Sequence, residues 1–149
     1  MKLINLLKCA NHFLNKKLSS LKILSNYLLR FGLGLSFIIH GFLKFPLPPN
    51  KLIEYFNFSP FLASFVAISE ILSGTTLIIS GFINNFFGNL LTRISSLTII
   101  IIMLFAFYYA HQDWFINSKL FTSEQIFLLL IGLYFFINGN LMNKNNPKY

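Results

Sequence analysis

Apolar residues in this chain gather into long runs separated by short polar breaks, and the breaks define the elements. About 20 mostly apolar residues cross a hydrocarbon core of roughly 30 Å as a helix. Four stretches have that character, at about 27–45, 60–82, 90–111 and 122–139. The first is closed by Pro46, Pro48 and Pro49, which lack amide donors and cannot continue a helix. The second opens at Pro60, a residue suited to a first helical turn, and closes before Asn84 and Asn85. The third ends at His111, and the fourth opens with Ser123 before Glu124 and stops at Gly139 and Asn140. Ahead of all four, Leu3, Leu7, Ala10, Leu14, Leu18 and Leu21 recur at three- and four-residue spacing while Lys2, Lys8 and Lys16 fall on other faces. That is the pattern of a helix lying along a membrane surface. The predicted architecture is all-α: a basic amphipathic interfacial segment over 1–26, a four-transmembrane-helix bundle over 27–140, and a tail over 141–149.

Composition supports lipid as the solvent. Hydrophobic residues make up 55% of the chain and charged residues 11%, where a soluble domain carries about 25% charge. The net charge of +8 comes from twelve basic residues dispersed around the apolar runs. A nucleic-acid-binding surface would gather them into one patch, so nucleic acid is not an expected partner. Cys9, the single cysteine, excludes an internal disulfide, a CxxC pair and a cysteine metal set. The leading residues lack the apolar core and small-residue cleavage site of a signal peptide and are expected to stay attached.

Lysine and arginine enrich the cytoplasmic flanks of spans. Nine of them fall on the amino-terminal arm through Arg30, on Arg93, and on Lys144 and Lys148, against Lys44, Lys51 and Lys119 on the other side. Both termini are therefore expected in the cytoplasm. All four acids, Glu54, Glu70, Asp113 and Glu124, then sit in the outer loops or in the spans entering from them.

An ionisable side chain at mid-bilayer costs at least about 2.5–3.5 kcal/mol on insertion scales, so each one in a span is a candidate functional group. His40 and Lys44 share one helix face one turn apart; Lys44 is either a site residue or a snorkelling interface lysine. Glu70 lies about 15 Å along its helix from the outer end and must be paired or protonated. Ala63, Ala67, Glu70, Gly74 and Gly81 form a stripe whose small residues admit a close neighbour, and a structural role for a hydrogen-bonded Glu70 stays open. Glu124, Leu128, Gly132, Phe135 and Gly139 trace a second stripe, with Glu124 alternatively a first-turn charge complementing the helix dipole. His111, Asp113 and Trp114 are either site residues or interface anchors. Arg30 and Arg93 are accounted for by positive-inside sorting alone.

Arg30, His40-Gly41 with Lys44, Glu70 with Gly74 and Gly81, Arg93, Met103, His111 with Phe115, and Glu124 together resemble the DoxX family of small four-helix membrane proteins, over residues 27 to 140. The sequence departs from the family pattern at Ser73, where a second glycine is common. The resemblance implies quinone-linked oxidation, as in a subunit of thiosulfate:quinone oxidoreductase, or a membrane complex handling oxidative or thiol stress. The leading expectation is a bacterial inner-membrane oxidoreductase subunit. His40, Lys44 and Glu70 would hold a quinone headgroup, and His40, Glu70, His111 and Glu124 would handle protons. Electrons would come from a partner subunit or a diffusible thiol, since no haem, flavin or iron–sulfur ligand set is present. A non-enzymatic scaffold or assembly subunit is the alternative, and a proton-coupled transporter a third.

Overall fold

The computed structural model describes residues 2–110 and 119–140. The expected site residue His111, with Asp113, Trp114 and the tail, lies outside them. The described chain is all-α, in the order α1 (Lys2–Leu18), a 3-10 turn (Ser19–Leu21), α2 (Lys22–Phe42), α3 (Asn50–Phe56), α4 (Pro60–Ser80), α5 (Phe86–Ala110), α6 (Lys119–Thr122) and α7 (Glu124–Asn138).

Local chemistry accounts for the ends. Ser59 caps α4 by accepting from the Leu62 amide at 3.2 Å, with Pro60 at the first helical position. Asn85, expected only as a polar stop, also starts α5, its Oδ1 accepting from the Gly88 amide at 3.0 Å. Gly139 closes α7 at φ +62°, a backbone region that favours glycine, and its amide donates to Phe135 O at 2.8 Å. Ser123 precedes α7 in extended conformation without capping it; its hydroxyl instead donates to Leu120 O at 2.9 Å.

Helices α2, α4, α5 and α7 pack in that order, and α7 also touches α2. They share one core, built from Leu33 and Phe37 of α2, Leu77 of α4, Ile99 and Met103 of α5, and Leu128 and Phe135 of α7. Among the described residues, α4 and α5 are long and apolar enough to cross a membrane. α2 matches α4 in length at 21 residues but is less apolar, and α7 is apolar but has 15 residues, or about 22 Å of helix. Large side chains such as Phe61, Leu72, Leu104 and Ile137 point outward from these helices.

In a hydrocarbon solvent, burial of apolar groups gives helices little reason to associate, so close packing must do it. The α2–α4 contact is built for that. A Cβ added at Gly74 would stand 2.5 Å from the Gly34 carbonyl oxygen, and one at Gly41 would stand 2.8 Å from the Ala67 carbonyl oxygen. Backbone therefore meets backbone along the stripe of Ala63, Ala67, Glu70 and Gly74, all of them buried. Gly132 on α7 makes a looser contact, an added Cβ there standing 3.2 and 3.5 Å from the side chains of Ile99 and Ile100 of α5.

Gly74→Ala is expected to cost about 1–3 kcal/mol through forced separation of α2 and α4. Gly32→Ala, where a Cβ meets nothing within 4 Å, should be neutral or stabilising by up to about 1 kcal/mol. Thermal unfolding of the two variants in one detergent measures both.

Candidate functional site

The inward stripe of α2 reads Arg30, Leu33, Phe37, Gly41 and Lys44, at helical spacing. A charged residue therefore stands at each end of an apolar face, and each one organises a polar cluster.

At the first end Arg30 is 1% exposed and lies in the middle of four helices. Its Nη1 donates to Leu77 O at 2.7 Å and to the hydroxyls of Ser80 and Thr92 at 3.0 Å each, and its Nη2 donates to Asn140 Oδ1 at 2.8 Å. The guanidinium also lies over the Phe135 ring, 4.7 Å from its centroid, a cation–π contact from α7. Asn140 uses all of its amide: Oδ1 also accepts from Thr92 at 2.6 Å, and Nδ2 donates to the carbonyls of Ser80 and Ile83 at 2.8 and 3.1 Å. Gly81 leaves the space through which the arginine passes, since a Cβ there would meet Arg30 Cδ at 2.5 Å. Arg93 donates to Phe136 O at 2.8 Å, fastening α5 to α7. Charge sorting alone does not account for Arg30, because a sorted interface arginine keeps its head in water. The signal available in the sequence was its register with Leu33 and Phe37.

At the other end Lys44 follows the last turn of α2, and its Nζ donates both to His40 O, at 3.2 Å, and to Glu70 Oε2. Glu70 is the buried partner of this ion pair, with a side chain 6% exposed against 22% for Lys44. A buried carboxylate needs such a partner, and the lysine answers the pairing question that its sequence position raised. His40 Nε2 lies 3.8 Å from Glu124 Oε1 on α7, a separation for attraction between charges rather than a hydrogen bond. Four of the five sequence-derived site residues thus meet at one end of the packed helices, brought there from α2, α4 and α7.

The Lys44–Glu70 pair lies on the wall of a cavity of about 580 Å³ between α4 and α5, with Leu52 and Phe56 of α3 and Phe58 closing one side. Val66, Ile101, Phe105 and Ala106 make its lining mostly apolar, with Ser69 and Thr98 as minor polar points. Phe58 stacks edge-on against Tyr109 of α5 with centroids 5.4 Å apart, joining the segment before α4 to the far wall. The arrangement is a greasy slot ending on one ammonium and one carboxylate. Among the described residues no cluster of His, Cys, Asp and Glu could hold a metal ion.

Among the described residues all regular structure is helical, two helices are long and apolar enough to cross a bilayer, and bulky apolar side chains lie on the outside, which together with the family it matches makes this a membrane protein. It belongs to the DoxX family, whose model matches residues 26–112, more than half of the chain. No curated protein and no solved structure matches it. The matched segment contains Arg30, His40, Lys44, Glu70 and Arg93, whereas Glu124 and Asn140 come from beyond it.

Asn140→Leu leaves Arg30 Nη2 and Thr92 without their shared acceptor. It should cost about 1.5–3 kcal/mol, the range for a hydrogen bond to a charged group. Asn138→Leu, at an exposed position on the same helix end, should cost little, and thermal unfolding separates the two.

Proposed function

We propose that this chain is a four-span protein of the bacterial inner membrane with both termini in the cytoplasm, and that it serves as a quinone-binding subunit of an oxidoreductase. The observation that carries the functional reading is the apolar cavity ending on the Lys44–Glu70 pair. A flat carbonyl-bearing ring with an isoprenoid tail needs both features: an apolar slot for the tail and a charge-bearing hydrogen-bond donor at its end. The four-span reading rests on the shared core of α2, α4, α5 and α7 and on the basic residues gathered at the Arg30 end. The shortness of α7 is a mismatch that local thinning of the bilayer accommodates.

A quinone bound there supplies two carbonyl oxygens whose reduction takes two protons and two electrons, the electrons coming from a partner subunit or from two thiols oxidised to a disulfide. Lys44 has three N–H donors; His40 O and Glu70 take two, and the third orients a carbonyl oxygen at the polar end of the slot. Glu70, next to it, holds or yields a proton at its carboxyl. Glu124 is exposed and His40 Nε2 faces it at 3.8 Å, while Lys44 reaches the His40 carbonyl and not its ring, so it is the grouping of Glu124, His40 and Glu70 at this end that supports assigning them proton handling. The apolar lining of α4 and α5 keeps bulk water from the site.

A scaffold role is the second reading, favoured by the Arg30 cluster, whose buried polar groups hold helices together and take no part in the slot. The two readings part on mutation. Protein purified with its native lipids should carry co-extracted quinone. Glu70→Gln, Lys44→Met and His40→Ala should each lower the quinone-to-protein ratio or the thiol-dependent reduction of a short-chain quinone, by tenfold or more for Lys44→Met. Unchanged binding and turnover in all three, with only a lower melting temperature in Glu70→Gln, would sink the quinone reading and leave the scaffold.

A further inference from the structure

Helix α1 stands apart from the rest of the described structure. Its substantial packing is with the turn Ser19–Leu21 alone, and each of its described side chains is exposed. Leu7, Ala10, Leu14 and Leu18 follow one another at helical spacing on one face, the three leucines 61%, 52% and 50% exposed. Lys8, His12, Asn15 and Lys16 occupy the opposite face. Lys17 lies at the boundary, its Nζ 5.8 Å from the centre of the Phe13 ring.

The charge on this segment has one sign. Lys2, Lys8, Lys16, Lys17 and Lys22 fall in the first 26 residues, and the first acid of the chain is Glu54. A surface complementary to α1 must therefore be apolar along one strip and anionic along its flanks. An acidic protein surface would answer the lysines and leave the leucines wet; a zwitterionic bilayer would answer the leucines and leave the lysines without counter-charge. A bilayer containing anionic phospholipid presents both in one plane, with acyl chains beneath and phosphates above. The turn Ser19–Leu21 ties α1 to α2 at the Arg30 end, the basic end of the packed helices, where such a leaflet would be met.

We propose that α1 is an anionic-phospholipid-binding element, with Leu7, Leu14 and Leu18 in the acyl region and Lys8, Lys16 and Lys17 on headgroup phosphates. Cys9, the only cysteine, is exposed on the lysine side of α1 beside Lys16, so Cys9→Ser combined with Ala10→Cys on the leucine face provides a single site for a polarity-sensitive fluorophore. The labelled full-length protein is reconstituted into vesicles of phosphatidylcholine alone or mixed with phosphatidylglycerol, and is also measured in detergent. The mixed vesicles should give blue-shifted emission and protection from an aqueous quencher. Added salt should reverse both. The Lys8→Gln, Lys16→Gln, Lys17→Gln triple variant should lower the docked-to-free ratio on the order of a hundredfold, about fivefold per lysine. Equal protection in phosphatidylcholine alone overturns the anionic requirement. An exposed label in both vesicle types overturns membrane docking, and protection already present in detergent shows α1 packed on protein and overturns the proposal.

Discussion

A guanidinium removed from water has to find its hydrogen bonds inside the protein, and Arg30 finds them only where four helix segments meet. Among the described residues its hydrogen-bond partners include no carboxylate. A carbonyl, two hydroxyls and an amide oxygen share the charge, with an aromatic face against it. Because these acceptors come from α4, α5 and the end of α7, satisfying Arg30 brings those elements onto α2 at a defined depth and rotation. Lipid supplies no comparable force between apolar helices, so this polar convergence and the glycine-mediated contacts of α2 with α4 set the geometry that everything else inherits.

That geometry positions the second cluster. Lys44 follows the last turn of the helix that carries Arg30, in register with its inward stripe, so anchoring the first in its pocket fixes the rotation that turns the second towards α4. Gly34, Gly41 and Gly74 then bring α2 and α4 close enough for Lys44 to reach Glu70. One end of the packed helices is thus closed around a cation bonded through both terminal nitrogens, with its Nε left unpartnered, while the other joins an ion pair to an apolar cavity and to an exposed acid on α7. On the proposed function, the first end holds the helices together and the second takes the ligand.

The polar residues divide accordingly. Ser80, Thr92 and Asn140 cooperate with Arg30. Ser95 and Ser96 satisfy themselves on carbonyls of their own helix, at 2.6–2.8 Å for their shortest bonds. They cost the core little and leave its contacts small.

Much of this was legible in the chain itself. Apolar runs bounded by prolines, asparagines and glycines determined the all-helical character, since backbone polar groups in lipid have no other local solution. Three- and four-residue spacing marked the small-residue stripe of α4 as a contact surface, and the cost of a charge in hydrocarbon singled out His40, Lys44, Glu70 and Glu124. What the sequence could not determine was partnership. Arg30 and Asn140 are 110 residues apart and Lys44 and Glu70 are 26 apart. Helical period states which way a side chain faces along its own axis; it is silent on which helix stands opposite and at what height. Only the tertiary structure decided that Arg30 is an interior clasp rather than an interface charge, that Glu70 is paired with Lys44, and that His40 faces Glu124, because each of these is a distance between elements that no local pattern contains.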